Sequence, residues 1–290
     1  MKKRAILIAV ALILTPTPSS ASLNGKEDYS EPRIMAVSFT EKVGTGPWAN
    51  GSGYLYSPRI VFSAGHMKDQ GKSAKFYFSQ PNKKLIKGMS TVKAIKVFYP
   101  DTYNNKTFGD DFSIVVLERP LVQVEKAQLI TPELLTRAIS EKIPMKITGY
   151  GVYQDKCFQQ KNSTPPCNGV RDKTSLVPRT STMTPWTALE MKERFNSYSE
   201  DLADHLFMTA PSKGGPCGGD SGGSTTVEID GINYYVGTVP SGFWNAYACG
   251  QSGGQPDRET LGYTAPVYKF LNLIATAEKY AAAHPYKAKK

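Results

Sequence analysis

From position 33 onward, apolar residues come in short runs, each broken by Gly, Pro, Asn, Asp or Ser. RIMAVSF, GYLYSPRIVFSA, KFYFS, TVKAIKVFY, FSIVVLE, PMKITGYGVY, HLFMTA, STTVEI and NYYVGTV are rich in β-branched and aromatic residues and read as strands. Their regular spacing, with few helical stretches between them, predicts antiparallel sandwiches or barrels. Two segments follow a helical period instead. One is PWTALEMKERFNS, around Trp186 to Asn196; the other is APVYKFLNLIATAEKYAAA, where Val267, Phe270, Leu271 and Ile274 form a core-facing stripe. The last residues, 284–290, read as a mobile basic tail, and no internal repeat interrupts the pattern.

The first residues depart from this pattern. Lys2, Lys3 and Arg4 precede the apolar run Ala5 to Leu14, and Thr15 to Ala21 brings prolines and small residues. That three-part order predicts a secretory signal peptide over 1–21, with the mature chain starting at Ser22, in the periplasm or outside the cell. The apolar run is too short to be a stable membrane anchor. Removing residues 1–21, with Lys2, Lys3 and Arg4, lowers the formal charge from +10 to +7. A basic exported protein can adhere to anionic surfaces, although scattered lysines are also what any solvated surface carries. No interleaved basic and aromatic array argues for nucleic acid. A monomer is expected.

Export changes the reading of the cysteines. The chain has four, which suggests two disulfides with three pairings open. Cys157 and Cys167 lie close together in the polar loop QDKCFQQKNSTPPCNG; if they pair, Cys217 and Cys249 remain for each other, a connectivity the sequence does not prove. No Cys-x-x-Cys spacing occurs and the three histidines are dispersed, so no metal site and no cofactor are expected.

The chemistry concentrates in three places. In PCGGDSGGS, glycines crowd around Asp220 and Ser221, which suits either a flexible linker or backbone amides aimed at a developing negative charge. His66 ends the apolar run in VFSAGH, where a histidine facing a cleft can move protons near neutral pH. In GDDFSIVVLERP, Asp111 stands at the edge of a buried strand, where a carboxylate can orient an imidazole; Gly-Asp-Asp also suits a plain turn. Asp110 is expected to be the solvated acid of the pair. His205 reads as an ordinary strand-edge or surface residue, and His284 as an exposed tail residue.

Together SAGH, DFSIVVL and GGDSGG, in the order His, Asp, Ser, resemble the trypsin/chymotrypsin family of serine endopeptidases. Gly-Asp-Ser-Gly-Gly alone should arise by chance in roughly one chain in several thousand, so three such segments are no coincidence. GSGYLYSPRIVFSAGH, ITGYG, GTVPSG and LGYTAPV extend the resemblance over nearly the whole mature chain. It implies an all-β fold of two six-stranded antiparallel barrels with a C-terminal α-helix: 22–130 as the first barrel, and 131–283 as the second with its helix. It also implies a serine endopeptidase acting on proteins or peptides. Ser221 would be the nucleophile, His66 the base and Asp111 its orienting carboxylate, with the amides of Gly219 and Ser221 as oxyanion hole.

Further expectations follow from the resemblance. Asp220 would pair with an α-amino group at Ser22, so that signal-peptide removal itself activates the enzyme. Gly215 falls at the base of the primary pocket, where a preference for Arg or Lys would want a carboxylate; a small or apolar side chain is expected instead. Pro240, Ser241 and Gly242 would line the pocket wall, with Pro240 replacing a serine that supports the triad aspartate. Gly51 and Met67 stand where the family has a disulfide around the histidine loop, whereas Cys217–Cys249 is retained. The competing readings are an esterase with the same triad and a catalytically silent homologue used for binding or adhesion.

Overall fold

The computed structural model describes residues 26–39, 41, 51–70, 75–154, 173–195, 203–210, 215–239 and 260–288. Fifteen strands are present among them. Six of these close into a barrel: β2 (Ile34–Ser38), β3 (Gly51–Ser57), β4 (Ile60–Ser63), β5 (Tyr77–Phe78), β6 (Val92–Phe98) and β7 (Ser113–Leu117), in the order β2-β3-β4-β7-β6-β5. The second sheet uses β8 (Met145–Gly149), β11 (Arg179–Trp186), β12 (Leu206–Ala210), β13 (Ser224–Ile229), β14 (Ile232–Thr238) and β15 (Thr260–Thr264). Its order is β14-β13-β8-β11-β12-β15, a half-barrel, and the short β1 (Lys26–Glu27) pairs with β11. A separate two-stranded ribbon joins β9 (Val152–Gln154) to β10 (Lys173–Thr174). This is the expected chymotrypsin-like fold.

Why β4 and β7 read as continuous apolar runs is visible in the packing around them. Successive side chains on a strand point to opposite faces. Leu55, Val61, Val115 and Leu117 fill the interior of the closed barrel with Met35, Val37, Phe78 and Val92. Their neighbours Tyr54, Ile60, Phe62, Ile114 and Val116 point outward, into a second core shared with the other sheet. Both faces are therefore buried, and a polar alternation would place polar groups out of water without partners. In this shared core Tyr54 stacks on Tyr235 with ring centroids 4.4 Å apart.

Three α-helices are present among the described residues, α1 (Pro132–Ser140), α2 (Ala188–Phe195) and α3 (Leu271–Ala283), with 3-10 helices over Gly65–Gln70 and Val267–Phe270. α1 has no counterpart in the expected elements. The Thr131 hydroxyl caps it by accepting from the Leu134 amide, and Pro132 stands at its start, where a missing N–H costs nothing. The helix expected from Trp186 begins at Ala188 instead, because Trp186 still pairs with Phe207 as the end of β11. α3 follows the 3-10 turn over Val267–Phe270 and lies back on the first barrel; Val267, Phe270 and Ile274 of the expected stripe are buried, but Leu271, expected to face the core, is 52% exposed. Phe270, just before it, stacks on Phe112 at 4.5 Å, and Arg59 donates to the carbonyls of Ala281 and His284. Among the described residues no helix is long and apolar enough to cross a membrane.

Candidate active site

Sheet register brings the histidine and the aspartate together. β4 and β7 pair antiparallel with Ser63 opposite Ser113. His66 follows three residues after Ser63, and Asp111 precedes Ser113 by two, so both leave the same end of the ladder. The Asp111 carboxylate accepts twice: Oδ1 from the His66 amide at 2.7 Å, and Oδ2 from His66 Nδ1 at 2.8 Å. Gly65 is required beside them, since a Cβ there would fall 2.8 Å from the Phe112 amide and 3.1 Å from Asp111 Oδ1. The Asp111 side chain is only 2% exposed, the His66 side chain 21%. Burial opposes a charge on His66, but the bonded Asp111 carboxylate and the more distant Asp69 outweigh it. The imidazole therefore holds its proton above the ordinary histidine value.

Ser221 enters from the second sheet, in the turn that leads into β13. It lines one cleft with His66, Phe39, Gly51, Met67 and Phe76. Gly51 and Met67, where the family has a disulfide, are thus walls of the cleft beside the histidine. The Ser221 hydroxyl makes no hydrogen bond among the described residues, which is common before substrate tightens such a site. Its carbonyl accepts from the Ser52 amide at 2.8 Å, a direct link from the turn to β3.

Two of the glycines around Ser221 are demanded by the backbone. Gly219 has φ +92° and Gly222 φ +83°, a region that side chains strongly disfavour. A Cβ on Gly222 would also sit 2.8 Å from the Ala64 amide and closer still to Ser63 Oγ and the Ser52 carbonyl. Three amides of the turn are already engaged: Asp220 donates to Cys217 O, Gly222 to Val239 O and Gly223 to Asp220 O. The amides of Gly219 and Ser221 have no acceptor among the described residues. Two unspent donors beside the serine are what a developing oxyanion requires.

Two supports of this site have no counterpart in the sequence reading. Ser52, fully buried, accepts from the Tyr150 amide and donates to Gly219 O, both at 2.9 Å. Thr238 donates to the Asp111 carbonyl at 2.9 Å. A polar Ser between two glycines in an otherwise apolar strand, GSGYLYS, was the available signal for the first; nothing in the sequence marks the second.

Other expected residues fall as follows. Asp220 is fully buried, and its carboxylate accepts from Gly151 N at 2.8 Å and Cys217 N at 2.9 Å. Gly215 is buried, with φ +142°. Ser22, Pro240, Ser241, Gly242, Cys157, Cys167 and Cys249 lie outside the described residues, as does the segment 1–21. Two expectations are corrected. Asp110 is not solvated: its side chain is 13% exposed and Lys269 approaches its Oδ1 to 2.5 Å. His205 does lie at the edge of β12 but is not a surface residue, being 4% exposed.

No protein in a search of curated sequences matches the chain significantly. The sequence model of the trypsin family does match, over residues 24–274, a span that takes in the barrel, the half-barrel and all three segments that form the site. The chain belongs to the trypsin family.

Proposed function

We propose that the protein is a secreted serine endopeptidase in which Ser221, His66 and Asp111 form the catalytic triad. The observation that carries this reading is the doubly bonded His66–Asp111 pair in the same cleft as Ser221. Asp111 holds the proton on Nδ1 of the resting imidazole, leaving Nε2 free to accept. Ser221 Oγ attacks the scissile carbonyl while its proton passes to Nε2, and the resulting imidazolium is stabilised by Asp111. The tetrahedral oxyanion is received by the amides of Gly219 and Ser221. His66 then protonates the leaving amine, and water, activated by the same base, hydrolyses the acyl-enzyme.

The rest of the reading concerns specificity, assembly and processing. Gly215 offers no carboxylate to a basic side chain, so a small or apolar residue occupies the primary pocket, whose wall is Pro240, Ser241 and Gly242. Residues 1–21 act as signal peptide, and the α-amino group of Ser22 pairs with buried Asp220. Cys217–Cys249 braces the pocket, and Cys157–Cys167 closes the surface loop. The closed barrel belongs to a unit of 22–130 and the half-barrel with the C-terminal helix to one of 131–283, and the enzyme works as a monomer.

A fluorophosphonate probe tests the triad. Intact mass should show one adduct on the secreted form, absent from Ser221→Ala and His66→Ala. No adduct on protein that begins at Ser22 would refute the enzyme reading and favour a silent binding homologue. A peptide library cleaved mainly after Arg or Lys would refute the pocket assignment alone.

A further inference from the structure

Behind Asp111 lies a closed ring of four ionisable side chains that the triad chemistry does not use. Lys269 Nζ contacts Asp110 Oδ1 at 2.5 Å and Asp204 Oδ2 at 2.7 Å. Asp204 Oδ1 faces His205 Nδ1 at 3.1 Å. His205 Nε2 closes the ring by accepting from the backbone amide of Asp110 at 3.1 Å. The Thr102 hydroxyl donates to the remaining oxygen of Asp110 at 2.6 Å.

The amide at Asp110 decides the state of His205. A backbone N–H can only donate, so Nε2 must carry a lone pair and the single ring proton must sit on Nδ1, toward Asp204. The ring is thus neutral and in one tautomer. Burial, reinforced by Lys269, also holds His205 below the ordinary histidine value, against the pull of Asp110 and Asp204. The edge of the Tyr263 ring packs against it at 6.0 Å between centroids.

What this bond holds is an unfavourable backbone. Asp110 has φ +52°, a left-handed conformation costly for a residue with a side chain. The next residue is Asp111, and the Phe112 amide turns back to donate to Asp110 O at 2.7 Å. The direction in which Asp111 leaves the chain therefore depends on Asp110 keeping that conformation. Resting on the triad reading above, we propose that His205 is a positioning residue: its neutral Nε2 pins the Asp110 amide and thereby aims the Asp111 carboxylate at His66 Nδ1.

Two readouts separate this role from mere packing. The proton between His66 Nδ1 and Asp111 gives a low-field proton NMR resonance whether or not turnover is measured. His205→Leu keeps the bulk but removes the acceptor; the resonance should move upfield or broaden, and kcat should fall about 10²-fold with KM within about twofold, as for a displaced catalytic group. His205→Gln, whose side-chain oxygen can accept the same N–H, should restore both to within about threefold. Asp204→Asn guards against a Leu variant that fails to fold. Its side chain is 62% exposed, and the substitution removes the carboxylate that keeps the proton on Nδ1. A loss of about tenfold in the same direction is expected, as for other partners that fix a histidine tautomer.

The proposal is overturned if folded His205→Leu keeps wild-type resonance and turnover, or if His205→Gln behaves no better than Leu. A wild-type protein with the resonance, restored by Gln after loss in Leu, but with no hydrolysis of any substrate, would sink the protease reading and leave the positioning role standing. A wild-type protein lacking the resonance would sink both.

Discussion

Ser52→Ala removes one oxygen atom and tests the link between the two sheets. The hydroxyl bridges the Tyr150 amide and the Gly219 carbonyl, each at 2.9 Å. Gly219 is partly exposed, so its carbonyl can turn to water. Tyr150 is fully buried and its amide cannot. An orphaned buried donor costs about 1–3 kcal/mol, and the void left by a single oxygen adds little, so the expected loss is about 2 kcal/mol. For a chain of this size that lowers Tm by about 4–8 °C. The measurement belongs in a Ser221→Ala background, so that self-digestion does not mimic instability. Ser63→Ala is the control: its hydroxyl donates to the Ser52 carbonyl at 2.8 Å, and its loss strands no amide. About 1 kcal/mol or less is expected there. In the background with Ser221 intact, Ser52→Ala should also lower kcat more than it raises KM, because Gly219 loses the bond that orients its peptide. Equal stability losses in the two variants, or a Ser52→Ala loss under about 0.5 kcal/mol, would refute the claim that this hydroxyl clamps the turn.

Three further outcomes are expected. Asp111→Asn should leave the fold intact but favour the wrong imidazole tautomer, lowering kcat about 10³–10⁴-fold as in related triads; a loss below tenfold in steady-state assays would be incompatible with the assigned role. Because catalysis needs neutral His66 and its proton is held above the ordinary value, kcat/KM should rise with pH through a midpoint above about 6.5. Asp69→Asn should move that midpoint down, and a pH–rate profile that stays put would contradict the field assigned to Asp69. Gly222→Ala meets both a positive φ and backbone at 2.8 Å or less, so it should cost at least about 2 kcal/mol in urea unfolding; a stability within experimental error of wild type would show that the turn can relax.

How far the sequence could be read depended on which face each residue shows. Strands of the closed barrel buried on both sides, β4 and β7, announce themselves as apolar runs such as FSIVVLE, whereas β6 keeps Lys93, Ile95 and Lys96 exposed. β11, central in the second sheet, reads RTSTMTPW and escapes the same test. Its inward positions include Ser181, Met183 and Pro185, and hydroxyls and a proline hide a buried strand from a hydrophobicity pattern. α1 was equally silent, although Thr131-Pro132 is a recognisable start signal. At the site, the motifs marked His66, Asp111 and Ser221 because their spacing survives in one dimension. The partners of Ser52, Thr238 and His205 lie on other elements, so their roles exist only once the sheets have met. Asp110 was misjudged because Lys269, its partner, is 159 residues away.

The return of the C-terminal segment to the first barrel has a consequence for timing. Lys269 holds Asp110 and Phe270 stacks on Phe112, so the two neighbours of Asp111 are secured by residues made near the end of synthesis. β7 can pair with β4 long before that, but the aspartate between these anchors cannot settle until residue 270 and the helix behind it have emerged. A ribosome-bound chain arrested before that point would carry His66 and Asp111 without the contacts that align them. The activity proposed for this site would thereby be postponed until almost the entire polypeptide has left the machinery that makes it.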